Sequence, residues 1–300
     1  MKRATLILVV VAIALFDPAA SAASAADDGK PPSPGLSFFA KAGAFWANKN
    51  TANFYSGRPD NANTIDRVLH SDTYGTQIWR HLVDQNLISP SAIGSYHQLQ
   101  VAEYPDMFYR ISYQIGLGLR YDYASGFGWL LRFDIAKLNA IGAFNLSSNN
   151  GTGILGSDPY IRCGMLGKED RINIDVAIAR TVKLNPQLDL ELNLGASIIN
   201  TKVKDNLMEI GGTAYSILDV WNGQSPDYGV GSYQYINQGG IGYGVFISLL
   251  VGYSVPSMGA LKIGYTCHHA KTVLQGHTAW GWQHLLGIRA EINNLNFLKT

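Results

Sequence analysis

The sequence predicts an all-β fold, an antiparallel up-and-down barrel of about eight strands, from three observations. Apolar and polar residues alternate along several segments, and the connections between these segments alternate between long and short. Glycine and tyrosine are abundant, with 32 and 16 residues, while charged residues make up only 15%. Such a composition is typical of many twisted strands with aromatic ends.

The N-terminal segment predicts export. Lys2 and Arg3 precede an apolar run over 4–16, and the small residues at 20–22 offer a cleavage site. The run is shorter than the ~20 residues that a spanning helix requires. The sequence is therefore divided into a Sec-type signal peptide (1–22), a disordered linker (23–35) and a barrel domain (36–300).

The first strand has apolar residues at alternate positions from Phe38 to Trp46. A long connection follows, over 49–106. It contains one predicted helix, from about Tyr74 to Leu87, because apolar residues there recur at helical spacing and Ser71, Asp72 or Thr73 precedes them as a cap.

The second strand is the clearest. Every odd residue from Tyr109 to Tyr123 is apolar or aromatic, and the even residues are polar or glycine. Fifteen such positions exceed the usual five or six of a soluble strand, which favours a membrane wall. A third strand (127–136) follows after a short break at 124–125, so the two form a hairpin.

Five further strands continue the pattern. They cover 172–182, 188–198, 241–253, 261–265 and 286–292, with short turns at 185–186 and 256–259 and long connections at 139–170 and 201–239. The last connection covers 272–278. An even number of strands leaves both termini on the periplasmic side and the long connections outside the cell.

The alternative to a membrane barrel is a soluble β-sandwich or lipocalin-like barrel. Eight strands cannot enclose so many tyrosine, tryptophan and leucine side chains, so the apolar face is predicted to point outward. Leu192 is then expected to face lipid. Arg180 also falls on this face, and we expect its guanidinium to reach the periplasmic headgroups.

With this pattern, residues 36–297 resemble the small eight-stranded bacterial outer-membrane β-barrels of the OmpA and OmpX kind. The resemblance rests on strand pattern rather than on a motif. It implies location in the outer membrane of a Gram-negative cell, with outer-membrane lipids and lipopolysaccharide as neighbours, and an envelope or surface protein as a partner.

The polar strand face predicts a charge network in the barrel lumen. Its members are Lys41, Arg110, Arg120, Asp122, Arg132, Asp134, Asp175, Lys183, Asp189, Glu191, Lys262, Arg289 and Glu291. Because isolated buried charges are costly, mutual pairing that plugs the barrel is the favoured interpretation. A narrow ion path is the alternative.

Two residues keep an enzyme hypothesis open. His268 and His269 lie near the outer end of the seventh strand, and some small outer-membrane barrels modify lipid A. Hydrolysis requires a nucleophile within reach of such a base. No serine or threonine is recognisable as that partner, so interfacial histidines are the favoured interpretation.

The helix of the first long connection predicts an interaction surface. Tyr74, Ile78, Trp79 and Leu82 are its candidate residues, and packing onto the barrel rim is the alternative. Function is thus assigned first to a structural or surface-interaction barrel acting through its loops. A lipid A deacylase-like enzyme is the second class, and a small-solute channel is a weaker third.

Charge and cysteine content exclude other classes. Lys+Arg of 23 and Asp+Glu of 22 nearly cancel, which disfavours nucleic acid as a partner. Cys163 and Cys267 form no CxxC pair or Cys/His metal spacing, so no metal or cofactor is expected. No disulfide is expected either, because the alternation turns Cys267 toward lipid.

Overall fold

The structure, a computed structural model, describes residues 35–89, 98–148, 154, 160–219, 237–255 and 259–292. The predicted signal peptide lies outside these residues, as does the predicted linker except for Gly35.

The described residues form eleven strands and three helices. The helices are α1 (Lys49–Ala52), α2 (Ile65–Leu69) and α3 (Asp72–Asp84), with a 3-10 turn at Asn53–Tyr55. The strands are β1 (Gly35–Trp46), β2 (Leu99–Glu103), β3 (Phe108–Tyr109), β4 (Ser112–Asp122), β5 (Phe127–Ser148), β6 (Ile161–Lys183), β7 (Leu188–Ile210), β8 (Thr213–Ser216), β9 (Gly240–Val255), β10 (Gly259–Leu274) and β11 (His277–Ile292).

Eight of these strands pair in a cycle, and every pairing is antiparallel. The order is β1, β4, β5, β6, β7, β9, β10 and β11, and β11 pairs back with β1. The short strands β2 and β3 add to β5, and β8 adds to β7. The strand count is therefore eleven rather than about eight. Of the three additional strands, β2 and β8 lie in predicted connections, and β3 overlaps the start of the predicted second strand at Tyr109.

Two predicted long connections are partly wrong. The segment 139–170 is mostly strand, because β5 continues to Ser148 and β6 begins at Ile161. In the segment 201–239, β7 continues to Ile210 and is followed by β8. Below, the turn end is the end with the short β4–β5, β6–β7 and β9–β10 connections, and the loop end is the opposite one.

The outward side chains of the ring are apolar and exposed. Leu117 is 66% exposed, Ile263 62% and Val176 57%. On β5 this band covers residues 127–135, about 23 Å along the ring axis at roughly 3.3 Å per residue and a tilt of about 40°. The dimension is close to the ~25 Å apolar band of membrane barrels.

Charged residues bound this band at the loop end. Lys137 ends the continuous run of apolar outward residues on β5, which closes with Ile135. On the neighbouring strands Lys168 lies 3.3 Å from Asp205, and Lys204 lies 3.2 Å from Asp170. Because all of these groups are at least partly exposed, they mark the level at which the outward surface becomes polar.

The inward faces of β5, β6 and β7 change in the opposite sense. On β5, Arg132 and Asp134 are followed toward the loop end by buried Leu138, Ala140 and Phe144. Helices α1 to α3 pack on this apolar stretch and form a cap, defined here as residues 49–88. The shared core includes Phe54, Tyr55, Ile65, Leu69, Ile78, Leu82, Phe144, Met165 and Met208.

The predicted helix exists as α3, and Ser71 is its cap. The Ser71 hydroxyl accepts a hydrogen bond from the Tyr74 backbone N–H at 3.0 Å, which satisfies one of the unpaired donors of the first turn. The helix ends at Asp84 rather than Leu87. Among the described residues, no helix is long and apolar enough to cross a membrane.

Two expectations for the outward face are wrong. Leu192 is fully buried, beside its cross-strand partner Arg180. Arg180 is itself 3% exposed, because its guanidinium lies over the Phe127 ring at 4.3 Å and donates to the Ser125 carbonyl at 2.6 Å. Stacking and the turn carbonyl hold the cation against the wall.

Candidate functional site

The ring interior is built from layers, and the layer nearest the turn end is charged. Glu191 lies at its centre and is fully buried. Lys262 donates to the Glu191 carboxylate at 2.6 Å, and Arg120 and Arg289 donate to the same oxygen. Glu291 forms ion pairs with Arg289 at 2.6 Å and with Lys262 at 3.0 Å. We call this group the lower charged layer.

An apolar layer lies above it. Phe39, Leu130, Ala177 and Phe246 are buried together across the ring. The Arg289 guanidinium lies 5.0 Å from the centre of the Phe39 ring, and that of Arg132 lies 4.8 Å from the centre of the Phe246 ring. Cation–π contacts therefore join this apolar layer to the charges on both sides.

The middle charged layer has two cations and two anions. Lys41 lies 2.7 Å from Asp134, and Arg132 lies 2.9 Å from the same carboxylate. Arg132 also donates to Asp175 from its Nε at 2.8 Å. All four side chains are at most 6% exposed, so each charge is compensated by a neighbour rather than by water.

The upper charged layer connects the interior to the cap. Arg171 donates to Glu169 at 2.5 Å and to Gln283 at 3.2 Å. The other oxygen of Glu169 accepts from Tyr55 at 2.7 Å and from Tyr109 at 3.0 Å. A second apolar layer separates it from the middle layer and consists of Phe45, Ala136, Leu138 and Leu285.

Tyr55 is the cap residue that enters the ring. A Cβ on Gly167 would lie 2.2 Å from the Tyr55 ring, so only glycine leaves room for it there. Burial first, and then the negative charge of Glu169, raises the pKa of Tyr55 well above its ordinary value. The hydroxyl is therefore a hydrogen-bond donor over the whole neutral range.

A second connection ties the cap to the segment after β8. Asn63 and Gln238 exchange two side-chain amide hydrogen bonds, both 2.8 Å long. The Asp219 backbone N–H also donates to Asn63 at 2.7 Å. Because both amides are buried, the cap is held to the wall by satisfied polar contacts as well as by its core.

Most of the predicted lumen residues meet in these layers. The lower layer contains Arg120, Asp122, Asp189, Glu191, Lys262, Arg289 and Glu291, and the middle layer contains Lys41, Arg132, Asp134 and Asp175. Arg110 and Lys183 are exposed and belong to neither. Lys183 lies at the turn end of β6. The alternation breaks near Arg110, so that Tyr109 points inward in its place.

The upper layer was missed by sequence reasoning. Glu169 lies in the predicted connection 139–170 and Arg171 lies directly before the predicted strand at 172, although their spacing of two places them on one face of β6. The alternation that predicts the strand from Ile172 extends toward the N-terminus through Arg171 and Glu169, and this extension is the signal that identifies them.

His268 lies in the interior beside a serine that the sequence did not reveal. Its Nδ1 is 3.4 Å from the Ser197 hydroxyl, which belongs to β7, and its ring stacks on Phe246 at 5.2 Å. Asp175 lies close to both. These groups are 1%, 2% and 0% exposed, respectively. A nucleophile, base and acid thus meet where a substrate has no access.

His269 lies on the opposite face of β10. Its ring stacks on Trp280 at 5.3 Å and contacts Trp282 at 4.6 Å on the outward surface. The two histidines therefore cannot act on one substrate.

The predicted surface of α3 is only partly exposed. Ile78 and Leu82 are fully buried in the cap core and cannot contact a partner. Trp79 is partly buried against the same core, and Tyr74 is 48% exposed. The helix therefore packs onto the wall, as the alternative interpretation held, while Tyr74 remains on its outer surface.

The remaining chemistry of the described residues is limited. No group of three or more His, Cys, Asp and Glu side chains in them is placed to hold a metal ion. Cys163 and Cys267 are both buried and free, and burial raises the pKa of Cys163 to about 12. Its thiol is therefore unreactive at neutral pH.

Comparison with known proteins finds similarity to solved structures but not to a family. No family model and no curated protein matches the sequence. The crystal structure of Neisserial surface protein A (NspA) has 9% sequence identity and a TM-score of 0.42, covering 88% of this chain and 100% of that one.

Proposed function

We propose that the chain is an outer-membrane β-barrel protein. Its interior is filled by the charged and apolar layers, and its cap carries a structural or surface-interaction role. One observation carries the location: the outward faces of the ring strands are apolar and exposed, as in Leu117 and Ile263. A surface of this extent is unfavourable in water but suits lipid.

The packing of the interior favours a closed barrel rather than an open channel. An eight-stranded ring has a narrow bore, and buried side chains from five successive layers occupy it. Conduction would require buried ion pairs such as Lys41–Asp134 to separate, and this is costly in a low dielectric.

The cap supports a surface-interaction role. A barrel wall does not require an additional folded unit, and ordered long insertions are usually functional. The cap shares a core with the wall and carries exposed polar and aromatic groups, among them Tyr74 and Arg80. Its partner in this proposal is an envelope protein or an external surface, with lipopolysaccharide and other outer-membrane lipids around the wall.

Fractionation tests the location. The protein should sediment with the outer membrane and should migrate differently on a gel before and after heating, because a closed ring has no edge from which to unravel. Recovery in the soluble periplasm without detergent would overturn the proposal.

The cap role is tested with surface variants. Tyr74→Ala and Arg80→Ala should reduce binding to whole cells or envelope extracts while leaving the heat-modifiable band intact. Lys183→Ala, at the turn end, is the matched control. Unchanged binding in both cap variants would remove this part of the proposal.

A lipid A deacylase-like enzyme is the second candidate, and it rests on the proximity of Ser197, His268 and Asp175. Their burial weighs against it, since an ester would have to enter the filled ring. Release of fatty acid from lipid A by purified protein, abolished by Ser197→Ala with the barrel folded, would establish the enzyme instead.

A further inference from the structure

The outward faces of β9, β10 and β11 carry a compact group of aromatic and basic side chains near the loop end. We call it the aromatic–cation patch, and its members are Tyr243, His269, Lys271, Trp280 and Trp282. Tyr243, Lys271 and Trp280 pair in one row across the three strands, and His269 and Trp282 pair in the next row.

The side chains of the patch contact one another in a defined arrangement. The His269 ring stacks on Trp280 with an interplanar angle of 19°, and Tyr243 meets Trp280 edge-on at 5.5 Å. The Lys271 ammonium lies 5.7 Å from the centre of the Tyr243 ring. Contacts of this kind restrict the rotamers of the rings, so the surface is preorganised.

The rings nevertheless keep much of their surface uncovered. Tyr243 is 56% exposed, Trp280 45% and Trp282 42%. Toward the turn end the same strands first present Tyr265 and His284, which share a hydrogen bond of 2.5 Å, and then apolar outward groups that include Val251, Ile263 and Ile288. The patch therefore lies at the boundary between the apolar band and the loop end.

Lys271 carries a positive charge on an outward surface whose described residues are otherwise uncharged. Among the described residues of the three strands, it is the only lysine or arginine on an outward face, and no aspartate or glutamate shares that face. Its positive charge is thus not compensated locally. On the adjoining strand β7, Lys202 is also exposed and has no ion pair within the described part of the chain.

This combination specifies a ligand chemistry. Exposed indole and phenol rings pack against the apolar faces of sugars or stay at the headgroup level of a bilayer. An uncompensated lysine beside them attracts a phosphate. Apolar rows further toward the turn end, with Val251, Ile263 and Ile288, accommodate acyl chains. A molecule with all three parts is a phosphorylated glycolipid.

We propose that the aromatic–cation patch binds the phosphorylated sugar headgroup of lipid A in the outer leaflet. Lys271 contacts a phosphate, Trp280 and Trp282 pack against the sugar, and the acyl chains follow the apolar rows toward the turn end. This inference rests on the proposed outer-membrane location and adds a specific lipid and a specific side of the barrel to it.

Native mass spectrometry of detergent-solubilised protein tests the site. The whole chain is titrated with lipid A, with lipid A from which the phosphates have been removed, and with phosphatidylglycerol. We expect the phosphorylated lipid A to bind at least about fivefold more tightly than the dephosphorylated form, the effect of about one lysine near a membrane surface.

Variants assign the effect to the patch. Lys271→Gln should weaken lipid A binding about fivefold, Trp280→Leu should weaken it by a similar factor, and Lys271→Arg should bind like the wild type. Lys183→Gln is the matched control because it removes an exposed cation at the turn end. Heat modification on a gel confirms that each variant is folded.

Three results would overturn the inference. The first is equal affinity for phosphorylated and dephosphorylated lipid A. The second is an equal loss in Lys183→Gln and Lys271→Gln, and the third is equal binding of phosphatidylglycerol, which would indicate a general anionic-lipid belt. A heat-modifiable outer-membrane protein without lipid A preference would contradict this site alone, whereas recovery in the soluble periplasm would remove both proposals.

Discussion

Tyr55 donates a hydrogen bond of 2.7 Å to Glu169, and this contact joins the cap to the uppermost charged layer of the ring. The Tyr55 ring lies directly against Gly167, two residues earlier on the same strand. One side chain thus fills the mouth of the ring and fixes the cap above it.

Loss of this contact should loosen the cap. Tyr55→Phe removes one hydrogen bond to a buried carboxylate and should cost about 1 to 2 kcal/mol, because Glu169 retains Arg171 and Tyr109. Amide hydrogen exchange within 49–88 should become faster, while the heat-modifiable band persists. Tyr74→Phe, on the exposed side of the cap, is the control, and equal exchange in the two variants would show that the contact is unimportant.

Gly167→Ala should displace the cap more strongly than Tyr55→Phe. The added methyl group would occupy the position of the Tyr55 ring, so the ring must leave the mouth. Limited proteolysis should then cut within residues 49–88. Gly164→Ala offers a matched control, since its Cβ would meet ordinary contacts near 3.4 Å. A protease-resistant cap in Gly167→Ala would contradict the conclusion that the Tyr55 ring packs against Gly167 and holds the cap in place.

The cap should also weaken at alkaline pH. Burial and Glu169 raise the pKa of Tyr55 in the folded protein, and burial and Asp66 raise that of Tyr104. A raised pKa means that the folded state binds the proton more tightly, so this stabilisation is complete below about pH 10 and is lost as the pH rises above it. Hydrogen exchange in the cap, corrected for the intrinsic rate, should increase above pH 10. The increase should be smaller in Tyr55→Phe.

The outward face should not tolerate a charge within the apolar band. Val176→Arg, at a 57% exposed position, should cost roughly 2 to 4 kcal/mol if it faces mid-membrane lipid. Asn200→Arg, an exposed outward position of β7 beyond the band, should cost little. Urea titration of the folded fraction in lipid vesicles measures both. Equal tolerance of the two substitutions would argue against lipid on this face.

The lower charged layer should depend on Glu191. Glu191→Gln removes the negative charge shared by Arg120, Lys262 and Arg289. Breaking a buried ion pair costs about 3 to 5 kcal/mol, because the remaining charge is uncompensated. The double variant Glu191→Gln/Lys262→Met should recover part of the loss. A single variant with wild-type stability in urea titration would show that the layer is solvated.

The strand faces were predictable because period two is a local property. Each outward apolar residue of β4 follows the last by two positions, whatever the neighbouring strand. The predicted lengths of β5, β6 and β7 were wrong where the apolar residues change from the outward to the inward face of the strand. From Lys137 onward polar residues such as Asn139 and Asn145 enter the outward face of β5, and the inward residues, such as Leu138 and Phe144, become apolar. The alternation continues there, but its apolar face packs against the cap.

The candidate site was predictable only in part for a related reason. Arg120 and Glu191 are 71 residues apart in sequence, and each was assignable to the inward face from its own strand. Their meeting depends on the cyclic order and register of the strands. The same holds for Ser197 and His268, which lie on strands that do not pair with each other.

The sequence by itself determined where the membrane-facing part of the ring strands lies and which face of it is apolar, because both follow from the chemistry of neighbouring side chains along one chain. Only the tertiary structure decided that eight strands pair in a cycle, that their charges sort into three layers, and that the cap enters the ring through Tyr55. These outcomes depend on the register between distant strands and on the space that residues such as Gly167 leave open, and neither is encoded locally.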